Sequence, residues 1–219
     1  MAKESTLRKV DELIDRYPAL SVCRESLCKS VEIICESYRS GHKLIACGNG
    51  GSAADAEHIV GELMKGCLYS RKLDDGFYAH LKAICPNEAD YFRNNLQGAL
   101  PALSLANQVS LNSAFANDQA PDLAFAQQIL GIGQEGDVLI AISTSGNSAN
   151  VLYAVQMAKA KGMSSIALTG RSGGKIRSMA DVAICAPEDE TYRIQECHLP
   201  IYHMLCLAAE HEFFGEADG

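Results

Sequence analysis

No stretch of this 219-residue chain is apolar for long enough to span a bilayer, and Met1–Lys9 is polar, so neither a membrane span nor a secretory leader is expected. Cys-x-x-Cys pairs are missing too. The nine cysteines, at 23, 28, 35, 47, 67, 85, 185, 197 and 206, lack the spacing of a zinc ribbon or a redox motif, and their odd number argues against a disulfide framework. They read as reduced core residues of a cytoplasmic protein. Positive charge is scarce: 19 Lys and Arg against 27 Asp and Glu leave a net charge of −8, which repels nucleic acid and acidic membranes rather than gathering them. No basic arm or helix-turn-helix segment offsets that balance. A Gly-Lys-Ser/Thr ending, the mark of a nucleotide P-loop, is also absent. Any anionic partner must therefore be held by local donors and dipoles.

What the chain does have is 47% hydrophobic and 21% charged residues, enough for one substantial core, and a single domain over 1–219 is expected. The organising stretch is Leu44-Ile45-Ala46-Cys47-Gly48-Asn49-Gly50-Gly51-Ser52, which reads as a buried strand, a glycine loop and the start of a helix that Ser52 would cap. Such a junction points backbone N–H groups and a positive dipole end at an anion, and phosphate is the natural guest. The pattern recurs at Val138–Ile142, followed by Ser143-Thr144-Ser145-Gly146-Asn147-Ser148 and a helix over 149–161. Helix capping alone explains Ser52 or Ser148; two hydroxyl-bearing loops after two strands point to a phosphate site. Without a P-loop, a sugar phosphate is favoured over a triphosphate.

Further strands are expected at 102–106, 165–170 and 182–186, with helices at 110–116, 122–130 and 174–179, and a long buried helix at 191–214 interrupted near Pro200. Strands alternating with helices predict an α/β fold, an open and mainly parallel sheet with helices on both faces. Its ligands would sit beyond the carboxyl ends of the strands. Two helices over 4–16 and 20–38 precede the first strand, as an N-terminal extension that packs on the domain or forms an oligomer interface. The segment 65–90 reads as polar and irregular, a lid or a solvated connector.

Six residues past Ser52, His58 and Glu62 stand four apart and so share one helix face. On an arbitrary helix this is a surface ion pair; beside a phosphate loop the two can face a substrate anchored there. A carboxylate and an imidazole can move a proton between adjacent sugar carbons or hold a zinc-like ion that polarises a carbonyl. Gln195 and His203 could join them, although eight helical residues span about 12 Å. Three arrangements allow it: side chains that lean together, a non-helical backbone around Gln195, or contributions from different subunits.

These residues carry a resemblance. Cys47-Gly48-Asn49-Gly50-Gly51-Ser52 with His58 and Glu62, then Ile142–Val151, then Ala167-Leu168-Thr169-Gly170, then Arg193-Ile194-Gln195-Glu196 before His203, resemble the sugar isomerase (SIS) domain family, and within it the phosphoheptose isomerases. The similarity runs from about residue 30 to 214. It implies a SIS-type, flavodoxin-like three-layer fold and a cytoplasmic homotetramer that converts sedoheptulose 7-phosphate to D-glycero-D-manno-heptose 7-phosphate through an enediol. It also implies a zinc site from His58, Glu62, Gln195 and His203, with Glu62 and His203 as the acid–base pair. Ser52, Ser143, Thr144, Ser145 and Ser148 would hold the phosphate, with Gly50 and Gly51 in its loop, and Asn49, Asn117, Asp118 and Gln195 near the sugar. Two departures bear on substrate stereochemistry: a longer segment over 84–98, and Thr191-Tyr192 where relatives carry an acidic residue. The competing readings are a non-catalytic binding protein of the same fold, like the protein that associates with the bacterial replication initiator, and a sugar-phosphate-sensing domain. The presence of both Glu62 and His203 favours the enzyme.

Overall fold

Leu44–Gly48 forms the first strand, β1, and all five of its residues are buried, as a strand covered on both faces requires. The computed structural model describes residues 2–215. Ahead of β1 come helix α1 (Glu4–Arg16), a short 3₁₀ turn (Pro18–Cys23) and α2 (Arg24–Arg39). After it follow α3 (Gly51–Met64), α4 (Asp75–Ile84), α5 (Ala89–Asn95), β2 (Ala102–Ser104), α6 (Val109–Asp118), α7 (Ala124–Ile132) and β3 (Val138–Ile142). The chain ends with α8 (Ala149–Ala160), β4 (Ser164–Thr169), β5 (Val182–Cys185) and α9 (Thr191–Phe214). The strands pair in the order β2-β1-β3-β4-β5, and every pairing is parallel.

Alternation along the strands divides the core. Leu44, Ala46, Val138, Ile140 and Ile166 face one side, where Val10 and Leu13 of α1, Leu27 and Ile34 of α2, Ile59 and Leu63 of α3, and Ile201 and Leu205 of α9 cover them. Ile45, Cys47, Leu139, Ala141 and Ala167 face the other, under Phe125 and Ile129 of α7 and Val151 and Val155 of α8. Each fully buried Leu or Ile contributes about 1.5–3 kcal/mol, so these two layers dominate the stability. The N-terminal extension lies on the first face, its apolar stripe turned inward.

Several expectations need correction. The second strand in sequence, expected to run to 106, stops at Ser104, though the Leu105 amide still donates to the Ala46 carbonyl (2.9 Å). The segment 65–90 is not irregular throughout: it holds α4 and the start of α5. α4 buries no residue, although Phe77, Leu81 and Ile84 stand at helical spacing; Asp74 caps it by accepting from the Phe77 amide (3.0 Å). Asn117 and Asp118 end α6 instead of standing in a loop after it. The cysteines are all free thiols, but Cys67 is exposed rather than in the core. Burial pushes the Cys47 thiol up to about 12.

Two carboxylates of α9 tie the first layer together. Glu212 accepts from Thr6 Oγ1 (2.6 Å), Arg39 Nη2 (2.6 Å) and the Lys3 amide (3.0 Å). Glu210 accepts from the Cys67 and Leu68 amides (2.7 and 2.9 Å) and from Arg71 Nε (3.0 Å). Burial alone would raise both pKa values, but these donors outweigh it and hold them below the ordinary glutamate value. The unfolded chain therefore binds protons more readily than the folded one. The stabilisation is complete above the ordinary glutamate range and disappears as pH falls through it toward the lower folded values. Urea unfolding at stepped pH should show stability falling below about pH 5, with a shallower fall in Glu212→Gln.

Candidate active site

β1 and β3 are neighbours at the point where the strand order reverses, the crevice in which open α/β sheets bind ligands. The two hydroxyl-bearing turns leave from there. Gly50 takes φ +55° to start α3, a conformation that L side chains resist, and Gly146 does the same at φ +64° in the second turn. Ser52 lies in the first turn of α3, almost fully buried; it does not cap the helix, since Gly50 is the N-cap and no side chain bonds there. Ser148 is the N-cap of α8, again without a side-chain cap bond. Its Oγ instead lies 3.1 Å from Ser143 Oγ. Two helix N-termini thus open at the switch point with no side-chain cap, together with Ser52, Ser143, Thr144, Ser145 and Ser148. This is a set of donors suited to a phosphate.

The two turns are clamped to each other. Asn49 Nδ2 donates to Asn150 Oδ1 (2.9 Å) and Asn150 Nδ2 returns a bond to Asn49 Oδ1 (2.8 Å). Asn150 was read only as part of a motif; its pairing needs β1 beside β3, which periodicity does not reveal. Gln195 lies over the first turn, its amide packed where a side chain on residue 51 would stand, so Gly51 is needed for that approach.

About two to three helical turns further along α3, His58 and Glu62 meet His203 of α9. His58 Nε2 is 3.5 Å from Glu62 Oε1 and 3.4 Å from His203 Nε2. Partial burial first, and then the neighbouring His58, hold the His203 imidazole below its ordinary value. Two ligand atoms bound to one tetrahedral zinc at 2.0–2.1 Å stand about 3.3–3.4 Å apart, so the pairs around His58 have the spacing of zinc ligands. Among the described residues, however, no three His, Cys, Asp or Glu side chains converge as a closed metal site. The chain around Gln195 is helical, with Pro200 inside an unbroken α9, so a local unwinding does not bring Gln195 to His203. Asn117 and Asp118 are exposed on α6, the amide donating to the carboxylate (2.8 Å), and among the described residues neither bonds to the serine turns.

Models of the SIS domain match residues 9–95 and 99–207. The phosphoheptose isomerase of Sulfurimonas denitrificans is 41% identical over 213 residues, covering 97% of this chain and 91% of that protein. The chain belongs to the SIS domain family, in its phosphoheptose isomerase branch. Solved SIS structures agree: a phosphoheptose isomerase from Neisseria gonorrhoeae superposes with a TM-score of 0.71 at 35% identity, over 91% of this chain and 94% of that one. Another from Francisella tularensis gives 0.71 at 28% identity, over 95% and 94%. The SIS sheet thus places its two serine turns and the His58–Glu62–His203 group at one end of the fold.

Sequence reasoning missed two residues of that group. Tyr202, in the long helix that the sequence predicts as buried, has its hydroxyl 2.9 Å from His58 Nδ1. Asp55, one turn before His58 on α3, interacts with the same hydroxyl. The signal was present: Asp55, His58 and Glu62 follow at steps of three and four, so all three share one helix face.

Proposed function

We propose that the chain, acting as one SIS domain, is a phosphosugar aldose–ketose isomerase that converts sedoheptulose 7-phosphate to D-glycero-D-manno-heptose 7-phosphate. The observation that carries this reading is the convergence of Glu62 and His203 from different helices, beside turns suited to a phosphate. A binding-only protein needs the turns but not the carboxylate and imidazole.

The serine turns grip the phosphate and set the open-chain sugar along the face of α3. Glu62, whose side chain is largely buried at 14% exposure, takes the proton from C1, next to the C2 carbonyl. His203 gives a proton to the carbonyl oxygen, and the product of the two transfers is an enediol. Glu62 then returns its proton to C2 while His203 recovers one from the C1 hydroxyl, so no net proton is gained or lost. His58, Glu62, Gln195 and His203 are the residues that would hold a zinc ion. When bound, zinc polarises the carbonyl and so eases proton removal at C1.

We assign the protein to the cytoplasm and to a homotetramer. Supporting the first, no helix among the described residues is long and apolar enough to cross a membrane. Supporting the second, Val109 and Leu111 of α6 and Leu130 and Ile132 of α7 are exposed apolar residues, and His58 is 44% exposed at the edge of the group. A partner subunit would cover both.

The test incubates purified protein with sedoheptulose 7-phosphate and with other ketose phosphates, with and without zinc, and follows aldose phosphate formation. The expected result is the heptose aldose. No aldose from any ketose phosphate under either condition overturns the reading, and turnover that survives exhaustive chelation removes zinc from it.

A further inference from the structure

Tyr202 is almost fully buried, yet its hydroxyl does not point into an apolar layer; it lies between two polar groups. On one side is His58 Nδ1 at 2.9 Å, a normal hydrogen bond. On the other is the Asp55 carboxyl, which interacts electrostatically with the hydroxyl and whose Oδ2 is buried without a hydrogen-bond partner among the described residues. A hydroxyl has one proton to give. An ionised carboxylate only accepts and is the stronger acceptor of the two, so the proton goes to Asp55, and the hydroxyl then has only lone pairs to offer His58. Nδ1 must therefore be the protonated nitrogen. The far side of the ring agrees: Nε2 faces Glu62 Oε1 at 3.5 Å and His203 Nε2 at 3.4 Å, both long for an N–H donor.

We propose that Tyr202 and Asp55 are positioning residues that set the tautomer of His58: its Nδ1–H donates to the Tyr202 hydroxyl, which donates to Asp55, leaving Nε2 as a bare lone pair turned toward Glu62 and His203. Neither residue touches the sugar. The pair acts by presenting a nitrogen that can ligate a cation, as outer hydrogen bonds do for metal-binding histidines, and in this respect it rests on the zinc reading above. Tyr202 and His58 also meet edge to face, with ring centroids 5.4 Å apart, so the same contact fixes the ring plane.

The experiment uses full-length metal-free protein with ¹⁵N-labelled histidine, the His58 signals being identified by their loss in His58→Gln. Long-range ¹H–¹⁵N correlations distinguish the two tautomers directly. In the wild type His58 should appear with Nδ1 protonated. Tyr202→Phe keeps the ring and its packing but removes the relay, so the Nε2–H form should rise. In Asp55→Asn the amide becomes a donor to the hydroxyl, which then turns its own proton toward Nδ1, and the Nε2–H form should dominate. Competition with a chelating dye should show zinc affinity about 10–100-fold weaker in both variants. A wild-type His58 protonated at Nε2, or a tautomer unchanged in both variants, overturns the inference. Wild type that binds no zinc but shows the expected tautomer, lost in Tyr202→Phe, supports it and sinks the zinc reading alone.

Discussion

Glu62→Gln is expected to lower kcat by about 10²–10⁴-fold, the contribution of a positioned general base, with little change in affinity for a phosphate-bearing ligand. Glutamine keeps the shape of the side chain and loses only the ability to take a proton. The phosphate donors sit in the serine turns, a helical turn and more away from Glu62, so ligand binding and proton transfer separate cleanly. Aldose formation from sedoheptulose 7-phosphate gives the first quantity, and calorimetric titration with a non-isomerisable sugar phosphate gives the second. Retained turnover removes Glu62 as the base. A parallel loss of ligand binding shows instead that the carboxylate holds the substrate.

The second large effect concerns stability. Arg71 and Glu210 form an ion pair with both side chains 0% exposed. Arg71 also donates to the Leu63 carbonyl (2.6 Å) and the Glu62 carbonyl (3.1 Å), and lies over the Phe214 ring at 4.9 Å. It thereby satisfies the C-terminal carbonyls of α3, the helix that carries His58 and Glu62, and joins that helix to α9. Removing one partner leaves a charge stranded out of water, so Arg71→Ala should cost about 3–5 kcal/mol, a large share of a typical stability of about 5–15 kcal/mol. Urea unfolding at pH 7 measures it. Replacing both partners by apolar residues of similar size, Arg71→Met with Glu210→Leu, should recover part of the loss: the Leu63 carbonyl keeps the Leu100 amide (3.0 Å), while the Glu62 carbonyl and the Cys67 and Leu68 amides lose their partners. Arg24→Ala, which breaks the half-exposed Arg24–Asp11 pair, should change little, because water and salt already screen that pair. Equal losses in Arg71→Ala and Arg24→Ala would show that burial does not set the scale here.

Arg71 illustrates why part of the molecule was hidden from a linear reading. In sequence it belongs to a polar connector beside Lys72, and nothing nearby marks it as a core residue. It is buried because Glu210, 139 residues later, supplies its counter-charge. α4 escaped for another reason: Phe77, Leu81 and Ile84 do follow at steps of four and three, but they stand in a polar stretch and the helix buries none of its residues. The strands were legible because Leu44–Cys47 and Val138–Ile142 are continuous apolar runs bounded by turn residues, a pattern that only burial on two faces explains. The capping expected of Ser52 failed because Gly50 is the N-cap and the helix begins two residues earlier.

The residues alone determined the alternation of strands and helices, the two hydroxyl-bearing turns and the shared face of His58 and Glu62, because each is a matter of near neighbours along the chain: a period, a turn, a step of four. Only the tertiary structure decided that β1 lies beside β3, that Asn49 reaches Asn150, and that α9 brings His203 and Tyr202 to opposite nitrogens of His58. Those contacts join residues more than ninety positions apart. They follow from which apolar faces can be buried together, and no local preference encodes that choice.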